Sequence, residues 1–75
     1  MAQRHPALTA FGSNLRRERE RKKLTQEKLA EKADLDPSYI SGIERGIRNP
    51  SILSVVRIGN ALGTTASDLC RRIEG

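Results

Sequence analysis

Apolar residues recur along the chain at spacings of three and four, separated by polar and charged positions, which is the period of amphipathic helices. The first such stripe contains Leu8, Phe11 and Leu15 and predicts a helix from about Thr9 to Lys23. Residues 1–7 are mostly polar, include a proline and show no periodicity, so we expect a frayed tail there.

A second, shorter helix is predicted after Leu24. Thr25 is suited to cap it, because a threonine hydroxyl accepts a hydrogen bond from a backbone N–H at a helix start. Its inward face consists of apolar residues at helical spacing, namely Leu29, Ala30 and Ala33. The turn that follows begins with Asp34, and aspartate is one of the few residues that tolerate a left-handed backbone.

The third predicted helix begins directly after this turn. Asp36 is a second cap, and Pro37 suits the first helical position, where its missing N–H costs no hydrogen bond. Ile40 and Ile43 form its apolar face, and Gly46 can end it in a left-handed conformation. Two short helices are therefore joined by one tight turn.

A fourth helix is predicted after a loop that contains an Asn-Pro dipeptide. Ser51 caps this helix and Gly63 ends it. Its inward stripe is predicted to consist of Ile52, Val55, Gly59 and Leu62. Leu53 and Val56 fall outside that stripe, so they are either scattered surface residues or part of a contact with another chain.

The last helix is predicted from a cap. Thr65, with Asp68 three residues later, approaches a capping box, and the helix after it carries Leu69 and Ile73. The predicted fold class is therefore all-α, with five helices in one domain at residues 8–75 that follows a tail at residues 1–7.

One charge lies where the pattern requires an apolar residue. Arg19 occupies the next position on the stripe of the first helix, and a charge on an inward face needs a partner. Glu44 stands one turn beyond Ile40, on the inward face of the third helix. We therefore expect Arg19 and Glu44 to form an ion pair; the alternative is two solvated side chains.

The composition narrows the class of protein. The 75 residues include 14 Lys and Arg against 9 Asp and Glu, and the net charge of +5 favours a polyanionic partner. The single cysteine, Cys70, excludes an internal disulfide and suits a reducing compartment. No apolar run approaches the ~20 residues of a membrane span, so we expect a cytoplasmic protein. One histidine and one cysteine without metal-ligand or phosphate-loop motifs leave no catalytic set, so we expect no enzyme, metal or cofactor.

Four short stretches carry a family resemblance that extends from about Phe11 to Leu69. They are Leu24-Thr25-Gln26, Leu29-Ala30, Tyr39-Ile40-Ser41 and Ile43-Glu44-Arg45-Gly46. Together they resemble the helix-turn-helix of the lambda-repressor-like family, the Cro/C1-type or XRE regulators. The run from Ile40 to Gly46, continued by Arg48-Asn49-Pro50-Ser51, is also similar to the small controller proteins of restriction–modification systems.

The resemblance implies how DNA would be contacted. The second helix of such a motif enters the major groove, while the first lies across the DNA backbone. Thr25 and Gln26 at the first helix would face a phosphate. Ser38 would be the chief hydrogen-bonding side chain at the tip of the second, and Arg48 the best candidate for reading a guanine. The remaining candidates for DNA contact are Pro37, Tyr39, Ser41, Gly42 and Arg45 on that helix, with Asn49, Ser51 and Ser54 beyond it.

The function implied is that of a sequence-specific transcriptional regulator that binds double-stranded DNA and acts as an autoregulatory controller. We expect a homodimer on a near-palindromic operator, because such operators mirror the symmetry of the protein. Its candidate contacts are Leu53, Val56, Leu69 and Ile73. No ligand domain is visible, so no small-molecule ligand is expected. The alternatives are an antitoxin-type regulator, for which no toxin-covering segment is visible, and a protein-interaction module that has kept the fold without DNA binding.

Overall fold

The computed structural model describes residues 5–73, and it folds them into five α-helices without a strand. In chain order the helices are α1 (Pro6–Arg21), α2 (Gln26–Ala33), α3 (Pro37–Glu44), α4 (Ile52–Leu62) and α5 (Ala66–Leu69). Helix α2 packs against α3 and α4, while α1 packs on α3 and α5 lies against α4 and α1. Within residues 5–73, none of these helices has the length and apolar character needed to cross a membrane.

The first helix begins earlier than the spacing of apolar residues predicts. His5 caps α1, since its Nδ1 accepts a hydrogen bond from the backbone N–H of Ala7 at 3.0 Å. Pro6 then takes the first helical position, where proline costs no hydrogen bond. Pro6 and Ala7 therefore belong to the helix and not to the predicted tail. Residues 1–4 of that tail lie outside the described residues.

The predicted caps around the tight turn are confirmed. The side chains of Thr25 and Asp36 accept hydrogen bonds from the backbone N–H groups of Lys28 at 3.0 Å and Ser38 at 2.8 Å. Asp34, between the two helices, has the left-handed φ of 58°, and Gly46 after α3 has a φ of 77°. The start of α2 and both ends of α3 are thus set by local hydrogen bonds and backbone conformation.

The core lies where α1, α2, α3 and α4 meet, with Leu69 closing one end. Its fully buried large side chains are Leu15, Leu29, Ile40, Ile43, Ile58 and Leu69. The predicted inward stripe of α4 is wrong at its first member, because Ile52 is 83% exposed. The buried face of α4 is centred on Ile58 and Leu62, so Ile52 in the first turn falls at its edge.

Helix α5 is shorter than predicted and ends at Leu69. The side-chain amide of Asn14 on α1 donates hydrogen bonds to the carbonyls of Leu69 at 2.8 Å and Arg71 at 2.9 Å. Arg72 then has a left-handed φ of 63°, which no regular helix can contain. Ile73 therefore lies beyond the helix that was predicted to carry it, although it still packs against the core.

Candidate nucleic-acid interface

The base of the site is an ion pair between α1 and the end of α3. Arg19 Nε lies 2.6 Å from Glu44 Oε2, and Arg19 Nη2 donates to Glu44 Oε1 at 3.0 Å. The two side chains are only 11% and 3% exposed. Hydrogen bonding to Glu44 raises the pKa of the Arg19 guanidinium, and Nη1 also donates to the carbonyl of Leu24 at 2.8 Å. The expected pair is therefore present with two hydrogen bonds, the Glu44 side chain being buried and the Arg19 side chain largely so.

Gln26 joins this pair instead of pointing away from the protein. Its side-chain amide donates to Glu44 Oε1 at 3.1 Å, and the residue is half-buried. The amide N–H that was expected to face a phosphate is thus engaged within the protein. The neighbouring cap Thr25 is exposed, and it stands beside the free backbone N–H groups at the start of α2.

The tip of α3 is a polar, exposed corner built around Asp36. One carboxylate oxygen of Asp36 accepts both the backbone N–H of Ser38 at 2.8 Å and its hydroxyl at 2.6 Å. The side-chain hydrogen bond from Ser38 is the largest of the effects that lower the pKa of Asp36. Because the Ser38 hydroxyl donates its proton to Asp36, the tip of α3 presents mainly hydrogen-bond acceptors to its surroundings. Asp36 belongs to this surface, although its sequence position predicts only a helix cap.

Arg48 and Tyr39 form the second part of the site. The Arg48 guanidinium carbon lies 5.8 Å from the centroid of the Tyr39 ring, within the range of a cation–π contact. The Tyr39 hydroxyl accepts a hydrogen bond from the backbone N–H of Ser51 at 3.3 Å. Burial by itself raises the pKa of Tyr39, but hydrogen bonds from Ser54 and Ser51 and the charge of Arg48 outweigh it, so the pKa falls below its usual value.

Two of the residues predicted to contact DNA are buried. Gly42 lies beneath the aliphatic part of the Arg48 side chain, so it cannot reach a base or a phosphate. Ser54 is 7% exposed, and its hydroxyl oxygen accepts a hydrogen bond from the Ser51 hydroxyl at 2.9 Å. Ser54 therefore stabilises the start of α4 and does not face a phosphate.

The remaining candidates lie at the surface around α3. The exposed ones are Thr25, Pro37, Ser38, Arg45, Arg48, Asn49 and Ser51, and the half-buried ones are Gln26, Tyr39 and Ser41. They come from the start of α2, from α3 and from the loop before α4. The sequence identifies Asp36 as a cap, and its position directly before the exposed Pro37 and Ser38 is the signal that also assigns it to this surface.

An apolar surface of the kind expected for a dimer is also present, but the prediction that Leu69 belongs to it is wrong. Leu69 is fully buried in the core and cannot touch a second chain. Ile52, Leu53 and Val56 are 83%, 59% and 41% exposed and share one side of the start of α4; we call these three residues the apolar patch. Beside it runs an apolar groove of about 310 Å³, lined in part by Ile52, Phe11 and Ile73.

Comparisons with known proteins cover most of the chain. A family model described as helix-turn-helix matches residues 15–69. The control protein C.MunI of Mycoplasma sp is 43% identical over 65 residues, which are 85% of this chain and 88% of that protein. The crystal structure of the restriction-modification controller protein C.AhdI from Aeromonas hydrophila superposes with a TM-score of 0.85 at 40% identity, covering 87% of this chain and 98% of that one. The biofilm regulator SinR, solved in complex with DNA, gives a TM-score of 0.76 at 33% identity and covers 79% and 95%.

Proposed function

This chain belongs to the helix-turn-helix family, and from that premise we propose that it is a restriction–modification controller that binds its operator as a homodimer. It is a sequence-specific DNA-binding regulator and not an enzyme. The observation that carries the DNA-binding part of the proposal is the exposed face of α3 and its following loop, held by the pair of Arg19 and Glu44. The controller role is supported by the similarity to C.MunI and C.AhdI. A regulator of this kind acts in the cytoplasm, where it meets the DNA.

The geometry suits insertion of α3 into the major groove. Pro37 and Ser38 are exposed at its first turn, which is the part of a recognition helix that meets base edges. The start of α2 then faces the adjacent backbone, where Thr25 and the unpaired N–H groups attract a phosphate. The ion pair of Arg19 and Glu44 keeps these two elements in a fixed relation to α1, so both contacts can form without rearrangement.

Arg48 is the side chain that we assign to base recognition. An arginine can form two parallel hydrogen bonds with O6 and N7 of guanine, which are worth roughly 1–3 kcal/mol of discrimination. Ser38 contributes less, because its hydroxyl proton is held by Asp36. The Asp36 carboxylate matches a base-edge donor, such as the amino group of cytosine, and repels a phosphate. Specificity therefore rests on Arg48, with the acceptors of the α3 tip in support.

The homodimer is proposed through the apolar patch and the groove beside it. Exposed isoleucine, leucine and valine side chains on one helix are costly in water and become buried when two copies meet. A two-fold arrangement also brings two reading helices to successive major-groove faces about 34 Å apart. Ile73 lies at the groove and remains a candidate contact, whereas Leu69 is excluded by its burial.

The proposal is tested by selecting bound duplexes from random DNA and measuring the affinity for the selected sequence and for a scrambled duplex of equal length. We expect a near-palindromic consensus, and binding to it at least about 10³-fold tighter than to the scrambled duplex. Equal affinity for both duplexes, or no binding at physiological salt, would show instead that the domain is an interaction module that has lost sequence reading.

A further inference from the structure

Gly42 lies in the middle of α3, where a residue with a side chain would stabilise the helix better. Its φ is not left-handed, so the backbone conformation does not require glycine. The space around it does. A Cβ built on Gly42 would lie 2.4 Å from Cγ of Arg48, far inside van der Waals contact, but 3.4 Å from Cβ of Arg48.

The loop after α3 brings Arg48 back over this glycine. The backbone N–H groups of Ile47 and Arg48 both donate to the carbonyl of Gly42, at 3.0 and 3.2 Å. The Arg48 side chain then runs across the bare backbone of Gly42 and reaches the Tyr39 ring, 5.8 Å from its centroid. Gly42 and Tyr39 therefore form the two ends of a track on which the arginine lies.

We infer that Gly42 is a positioning residue for specificity. Because Gly42 has no side chain, the Arg48 stem can lie against its backbone, and this places the Arg48 guanidinium where it can bind a base. Gly42 does not itself touch DNA. A methyl group at this position forces the Arg48 stem to rotate about its first side-chain bond, which carries the guanidinium away from Tyr39. This inference rests on the proposed function, because it concerns how Arg48 is presented to the operator.

A free arginine side chain loses rotational freedom when it binds a base, and that loss weakens the contact. A stem already confined between Gly42 and Tyr39 loses less. The track therefore affects the sequence-specific part of binding, while the general attraction of one positive charge to phosphates is unchanged by where the stem lies. Gly42→Ala thus tests the contribution of Arg48 to sequence recognition without changing the charge of the protein.

The experiment combines Gly42→Ala with Arg48→Ala. Alone, Gly42→Ala is expected to lower the ratio of operator to scrambled affinity at least about fivefold, with no fall in the melting temperature. In the Arg48→Ala background, where only Cβ remains at position 48, the same change is expected to alter the ratio less than twofold. An unchanged ratio in the first case, or an equal fall in both, overturns the inference. Tyr39→Leu serves as a second variant with the same expected dependence on Arg48.

A readout without DNA keeps this inference distinct from the proposed function. The Nε–H resonance of Arg48 in NMR spectra of the free protein should carry the ring-current shift of Tyr39. Gly42→Ala should move it towards the position of an exposed arginine such as Arg45. If the resonance stays in place, the track does not exist, whatever the protein binds. If it moves while the parent shows no preference for any DNA sequence, the proposed function has failed and the positioning of Arg48 has not.

Discussion

Replacing Glu44 by alanine tests the structural base of the recognition surface. In the folded protein, this carboxylate accepts hydrogen bonds from Arg19 at 2.6 and 3.0 Å and from Gln26 at 3.1 Å. The alanine variant leaves the Arg19 guanidinium, only 11% exposed, without its partner. Because a buried charge without a counter-charge keeps its desolvation cost, the change acts on α1, α2 and α3 together.

The expected magnitude follows from the burial of the pair. Removing one partner of a buried ion pair costs about 3–5 kcal/mol. The whole domain of 75 residues has a free energy of unfolding of about 4–11 kcal/mol at the usual contribution of each residue. The variant should therefore lose a large share of its stability, and its melting temperature should fall by at least about 12 °C.

Thermal and urea unfolding of the parent and of Glu44→Ala measure this loss. Glu31→Ala is the matched control, because Glu31 also forms one ion pair, with Lys28 at 3.0 Å, but both side chains are more than half exposed. The control should change the free energy of unfolding by no more than about 0.5 kcal/mol. If Glu44→Ala melts together with Glu31→Ala and the parent, the buried pair does not hold the helices and the reasoning is refuted.

Three further predictions concern the tip of α3, the residue beside the ion pair and the apolar patch. Hydrogen bonding from Ser38 lowers the pKa of Asp36 in the folded protein below its unfolded-state value of 3.8. The ionised carboxylate therefore stabilises the fold above that value, and this stabilisation is lost as the pH falls through the folded-state pKa. In thermal melts, Asp36→Asn should consequently lose less stability than the parent on acidification below about pH 4. An equal loss would mean that the carboxylate does not contribute. Gln26→Ala should cost about 1.5–3 kcal/mol in urea unfolding, because it removes a hydrogen bond to the Glu44 carboxylate. It should weaken operator and scrambled DNA by similar factors, since it loosens the start of α2, which faces phosphates that carry no sequence information; a selective loss on the operator would contradict this. Val56→Asp should keep the parent's helical content but sediment as a monomer at concentrations where the parent is a dimer. If the parent itself is monomeric at high micromolar concentration, with and without DNA, the proposed dimer is disproved.

The parts of the fold that could be predicted are those specified by neighbours in sequence. Thr25 and Asp36 cap helices through hydrogen bonds to residues two or three positions away, and the left-handed residues stand where helices end. The ion pair could be predicted because Arg19 interrupts an apolar stripe, and such a charge requires a partner on a facing helix. Each of these inferences uses one local pattern and one physical requirement.

The parts that could not be predicted depend on contacts between distant segments. The start of α4 is apolar on several sides, so its period does not decide whether Ile52 or Ile58 faces the core. Helix α5 ends early where Asn14, 55 residues before Leu69, binds the carbonyls at that point. Gly42 was assigned to the DNA surface from its place on the helix. Its burial could not be predicted, because it depends on the path of the following loop, which lays Arg48 over it.

The most direct test of the account is the affinity of the parent, Arg48→Ala and Arg71→Ala for the selected operator and for its scrambled duplex, measured in the same salt. Arg71 is an exposed arginine that follows α5 and pairs with Asp68 of that helix. Its replacement therefore removes one positive charge that does not belong to α3 or its loop. Arg48→Ala should lower the ratio of operator to scrambled affinity by about 5- to 150-fold, whereas Arg71→Ala should leave that ratio unchanged. If Arg48→Ala keeps the ratio of the parent, the arginine only anchors the protein to phosphates, and the assignment of base recognition to Arg48 is contradicted.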